Sequence, residues 1–76
     1  MPNKKLDENE IIVCETIRTA VYRDGRSVTA IADAAGISQA YLNRVMNCHN
    51  APTLATINKI AYALGKTVRL SFVAPR

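Results

Sequence analysis

The chain of 76 residues has no Trp and one Phe. Its core must come from Ile, Leu, Val and Ala. Apolar residues make up 49% of the sequence, which excludes a chain too polar to fold. Two cysteines, Cys14 and Cys48, do not make a disulfide framework. Cys14 falls on an apolar helical face, where a buried free thiol is common. The expected compartment is a reducing cytoplasm. No apolar run approaches a membrane span and no signal segment is evident, so no membrane partner is expected. Ser/His/Asp sets, paired carboxylates and phosphate-cradling glycine loops are all missing. A chain this short also has little room for a pocket, so no catalytic residue, enzyme activity or cofactor is expected. Cys14, Cys48 and His49 supply three ligand types, but their spacing matches no zinc motif and a fourth ligand is missing, so no metal is expected. His49 then reads as an exposed loop residue or, when protonated, a phosphate contact.

Acidic residues run out early. Asp7, Glu8, Glu10, Glu15, Asp24 and Asp33 all lie in the first half, and after Asp33 the charged side chains are Arg44, Lys59, Lys66, Arg69 and Arg76. The net charge is +4. A purely cationic half favours an anionic partner, nucleic acid first, although a solvated basic surface gives the same pattern. The length allows one domain. A domain of this size buries only about 60% of its unfolded surface, so a partner subunit would add useful burial.

Four helices are legible. Residues 1–6 read as a loose basic lead-in. Asp7 and Glu10 form a capping-box pair, followed by Val13, Ile17, Ala20 and Val21 at helical spacing, and the helix should end near Tyr22 before Asp24-Gly25. Ser27 caps a second helix with Val28, Ile31, Ala32 and Ala35 inward, which Gly36 stops. Ile37 points back to the core and Ser38 caps a third helix over 39–47. That helix buries Leu42, Val45 and Met46 and presents Gln39, Ala40, Asn43, Arg44 and Asn47. Thr53 caps a fourth helix with Leu54, Ile57, Ile60, Ala61 and Leu64 inward, ending at Gly65. Residues 1–66 are thus the helical domain.

In residues 67–76 the period changes. Val68, Leu70 and Phe72 alternate with Arg69, Ser71 and Val73, a strand signal. A lone strand has unpaired edges, and pairing with its twin from a second copy about a twofold axis would satisfy them. Val68, Leu70 and Phe72 are then the dimer-interface residues. The alternative is an extended tail packed on its own helices.

A helix, a glycine turn and a second helix make the unit that sets its second helix in the DNA major groove. The pattern Ala32-x-x-x-Gly36-Ile37-Ser38-x-x-x-Leu42 has steric reasons: a small residue at the helix crossing, a left-handed turn residue and an apolar plug. The stretch IADAAGISQAYLNRVMN followed by APTLATINKIAYALG resembles the lambda-repressor-like (XRE-type) helix-turn-helix family. It is most similar there to the single-domain regulators of the HigA antitoxin and addiction-module antidote type. The resemblance covers about residues 27–73. It implies a mainly α fold, a compact four-helix domain with one C-terminal β-strand, that binds double-stranded DNA through its third helix, usually as a homodimer repressing its own promoter. Gln39, Ala40, Asn43 and Arg44 match the family's base-facing positions, and Asn47 and Thr53 match positions that touch phosphates. Ser38, at the outward helix start, and Tyr41, at the edge of the exposed arc, join the phosphate-contact candidates. Two departures stand out: Val28 replaces a usual Gln, and Met46-Asn47-Cys48 replaces a usual Glu-Asn-Gly.

Arg44 has the geometry to pair with guanine and Gln39 with adenine, with phosphate or water contacts as the alternatives. The expected function is a sequence-specific transcriptional repressor binding a palindromic operator. The alternative is an antitoxin that binds a toxin protein and autoregulates its operon. A third reading is a protein-interaction module that has lost DNA binding.

Overall fold

A computed structural model describes residues 6–73, which form four helices: α1 (Glu8–Asp24), α2 (Val28–Ala35), α3 (Gln39–Met46) and α4 (Leu54–Ala63). Residues 1–5 of the expected lead-in, and residues 74–76, lie outside the described part. Leu6 belongs to the domain, half-buried against the core.

Each helix start is capped as its sequence predicts. The Asp7 carboxylate accepts the Glu10 N–H at 2.8 Å, and the Glu10 carboxylate accepts the Asp7 N–H at 2.9 Å. Ser27, Ser38 and Thr53 accept the N–H groups of Ala30, Tyr41 and Thr56. Each bond satisfies a donor that the first helical turn leaves unpaired. α1 runs two residues past the expected end at Tyr22, because Asp24 still fits the helix and Gly25 is the first left-handed residue. α3 ends at Met46, with Asn47 as its cap rather than its last residue.

α2 packs on both α3 and α4, and α1 packs on α3. Ile31, Leu42, Ile60, Val21, Val45 and Cys14 are the largest fully buried side chains. Ala32 is also buried, which suits its place on the α2 face that meets α3. Ile37 is half-buried against the same core. Leu54 departs from expectation. It is 51% exposed, because the first turn of α4 overhangs the groove beside α1 instead of entering the core.

The expected strand is not formed: residues 66–73 carry no regular secondary structure. A strand exists through its ladder hydrogen bonds, and among the described residues no second strand is present to supply them. Val68 is half-buried, whereas Leu70 is 69% exposed and Phe72 fully exposed. Val68 and Leu70 line a groove of about 310 Å³ between α1 and α4, with Ile12, Ile17, Leu54 and Ile57. So the tail begins to pack on its own helices, and its last apolar residues have no cover in a single chain.

Cys14 is sealed, and its thiol points to the Asn50 carbonyl at 3.5 Å. Burial first, then the neighbouring Cys48, pushes the thiol from its ordinary 9.0 to about 11. The folded state therefore holds this proton where the unfolded chain releases it. The associated stability is complete below pH 9 and is lost as pH rises toward 11. Two such pH units correspond to at most about 2–3 kcal/mol. Denaturant titrations at pH 8 and pH 11 should therefore show a steeper loss for wild type than for Cys14→Ala. Equal pH slopes would refute the assignment.

Candidate nucleic-acid interface

The chain path fixes how α3 stands on the domain. Gly36 takes φ +74°, the left-handed region, and ends α2 with two hydrogen bonds, Gly36 N–H to the Asp33 carbonyl and Ile37 N–H to the Ala32 carbonyl. The pair closes the helix end and turns the chain sharply. Ser38 then caps α3 at once, so α3 starts directly at this corner.

α3 has two faces. Leu42, Val45 and Met46 are buried, while Gln39, Ala40, Asn43 and Arg44 are exposed together on the other side. The four candidate base contacts thus share one solvent-facing surface. Its chemistry is two amides, one methyl and one guanidinium, with no carboxylate in the helix. Among the described residues, ion pairs join Arg18 to Glu15 and Arg26 to Asp24. Arg44 has no acidic partner there, so its five donors remain available to an acceptor such as a base edge or phosphate.

The candidate phosphate contacts flank this face. Ser38, Asn47 and Thr53 are exposed, while Tyr41 is half-buried and packs partly against the core. Ser38 and Thr53 also serve as caps. The Ser38 oxygen accepts the Tyr41 N–H at 3.0 Å, which leaves the hydroxyl proton to donate outward. Thr53 donates its hydroxyl to Thr56 at 3.1 Å, so its side chain already has a partner within the protein.

The exit from α3 shows how a departure from the expected pattern is absorbed. Cys48 takes φ +61°, the described region's one left-handed residue that is not glycine. Cys48 N–H reaches the Val45 carbonyl at 3.0 Å and His49 N–H reaches the Arg44 carbonyl at 2.8 Å. This is the same two-bond closure as at Gly36. Cys48 accepts the left-handed backbone at a cost of about 1–2 kcal/mol and is held there by packing of its side chain against the core. Among the described residues, no group of three or more His, Cys, Asp or Glu side chains could hold a metal ion. Cys14, Cys48 and His49 are therefore not assembled into a ligand set.

Two arginines were not singled out by motif, and both tie elements together. Arg18 reaches from α1 to the Met46 carbonyl at 3.4 Å, placing a cation at the negative end of α3. Arg26 grips both oxygens of Asp24, at 2.7 and 3.2 Å, and also donates to the Ala63 carbonyl at the end of α4. Its guanidinium holds the Asp24 carboxyl below the usual carboxylate range. The Asp24–Arg26 pairing is a local signal, an Arg two residues after an Asp in a turn, whereas the bonds to Ala63 and Met46 join segments 37 and 28 residues apart.

No helix among the described residues is long and apolar enough to cross a membrane. Residues 21–70 match the family model HTH_3, described as helix-turn-helix. No curated protein and no solved structure matches the chain.

Proposed function

The chain belongs to this helix-turn-helix family and is a DNA-binding regulator, and from that premise we propose that it represses transcription as a homodimer on a palindromic operator. The observation that carries the reading is the split of α3 into a buried apolar face and an exposed face bearing Gln39, Ala40, Asn43 and Arg44. In this reading the exposed face enters the major groove. Ser38, Tyr41, Asn47 and Thr53 meet the phosphates on either side, and the twofold axis sets two copies of α3 about 34 Å apart. The uncovered tail supplies the dimer contact, with Val68, Leu70 and Phe72 forming a strand only when a second copy pairs with it. As a DNA binder the chain works where the DNA is, with both thiols reduced.

The toxin-binding alternative would use the same apolar tail and groove. Sizing the purified protein beside Phe72→Asp separates the two, since a dimer that this substitution breaks, with no other protein present, assigns that surface to a second copy.

The test of DNA binding itself is enrichment of duplexes from a randomised pool, followed by titration over a range of salt. Each phosphate neutralised contributes about −0.9 to the slope of log affinity against log salt. The acid-free second half of the chain leads to an expected slope of about −2 or steeper. A slope near zero, or no enriched sequence, would overturn the proposal.

A further inference from the structure

Thr29 stands on the exposed side of α2, and its hydroxyl donates to the Gln39 side-chain oxygen at 2.8 Å. This is the one side-chain hydrogen bond between α2 and α3 among the described residues. It crosses the turn from the second residue of one helix to the first residue of the other. The residue before it, Val28, is half-buried against the core. We infer that Thr29 is a positioning residue for Gln39, holding its terminal amide on the side of α3 that meets the DNA base. The inference rests on the reading of α3 as the recognition helix.

The bond acts on Gln39 in two ways. Gln39 is exposed at the start of α3, and nothing but this bond restrains its terminal amide. An unrestrained Gln loses on the order of 1.5–2 kcal/mol of rotamer entropy when it is immobilised. The Thr29 bond removes part of that loss before DNA arrives. The second concerns orientation. A carboxamide presents one acceptor and one donor group, and a half-turn of the amide exchanges them. Adenine offers a donor at N6 and an acceptor at N7, whereas guanine offers two acceptors, O6 and N7. With its oxygen accepting the Thr29 hydroxyl, Gln39 presents one of its two orders of donor and acceptor. The oxygen keeps its second lone pair for adenine N6–H, and the amide nitrogen donates to N7. Thr29 thereby sharpens discrimination at one base pair without touching DNA.

The experiment compares wild type, Thr29→Val, Thr29→Ser, Gln39→Ala and the double variant Thr29→Val/Gln39→Ala. The probes are the duplex that wild type enriches most strongly, all its single-base variants, and random DNA. Thr29→Val should reduce discrimination roughly two- to tenfold, the worth of one hydrogen bond. The loss should be confined to the base pair that Gln39→Ala also flattens. Thr29→Ser should restore it, and the double variant should behave as Gln39→Ala alone. Binding to random DNA and the thermal midpoint should stay at wild-type values. If Gln39→Ala flattens one base pair and Thr29→Val leaves it intact, the positioning role is wrong and DNA reading by α3 stands. If Thr29→Val lowers operator binding, random binding and thermal midpoint together, its role is structural and the inference falls. If Gln39→Ala changes nothing while Arg44→Ala flattens another pair, the inference falls and α3 still reads DNA. If wild type enriches no sequence, both fall together.

Discussion

Arg44→Ala should lower the ratio of operator to random-DNA binding by about 5- to 150-fold. That range corresponds to roughly 1–3 kcal/mol for a two-point guanidinium contact to guanine. The side chain is exposed on the outer face of α3 and has no acidic partner among the described residues. Its removal therefore breaks no ion pair within the fold, and the folded protein should keep its thermal midpoint. Lys59 is the control. It is exposed on α4 rather than on α3, and Lys59→Ala should weaken operator and random DNA alike, if at all. Parallel titrations of the two variants against both DNAs separate base reading from charge. An unchanged operator preference in Arg44→Ala would move Arg44 to a phosphate contact.

The features that were legible before the fold was known share a property: each is local. Ser27, Ser38 and Thr53 cap helices because a side-chain oxygen two or three residues upstream can satisfy a free N–H, and that depends on spacing alone. Gly36 and the period of Leu42, Val45 and Met46 belong to the same kind of signal. So does the exposed set on α3, since whatever a short amphipathic helix does not bury must face outward. The missed features depend on chain segments far apart. Arg26 finds the Ala63 carbonyl 37 residues away, and Arg18 finds Met46 28 residues away. Leu54 matches the apolar period of α4 but lies at its overhanging first turn. The tail is the plainest case. Alternation of Val68, Leu70 and Phe72 signals a strand, yet alternation encodes two faces and not a partner, and one chain supplies no ladder for it.

Removing residues 67–76 should convert a dimer to a monomer and weaken operator binding by a factor on the order of 10² to 10⁴, the gain that joining two reading heads ordinarily gives. In the single chain Leu70 is 69% exposed, Phe72 fully exposed and Val73 85% exposed, and Leu70 shares a groove with Ile12 and Leu54, each about half exposed. Small folded domains rarely leave so many large apolar side chains uncovered near one groove. Each such side chain that a second copy covers contributes roughly 1.5–3 kcal/mol by transfer from water. Backbone pairing of two tails would also satisfy the N–H and C=O groups that residues 66–73 now leave outside any regular structure. Truncation also strips Val68 from the α1–α4 groove, so the shortened domain is expected to be less stable, and loss of binding alone would be ambiguous. Phe72→Asp resolves this. Phe72 is fully exposed in the single chain, so a charge there costs the monomer nothing, but it is incompatible with a buried apolar contact between copies. Sedimentation should show Phe72→Asp as a monomer with a thermal midpoint that no longer depends on protein concentration. Its random-DNA binding per chain should be close to wild type and its operator binding greatly reduced. If Phe72→Asp and the truncated chain both sediment as dimers, the contact lies elsewhere, and the outer face of α4, where Tyr62 is 84% exposed, is the next surface to substitute.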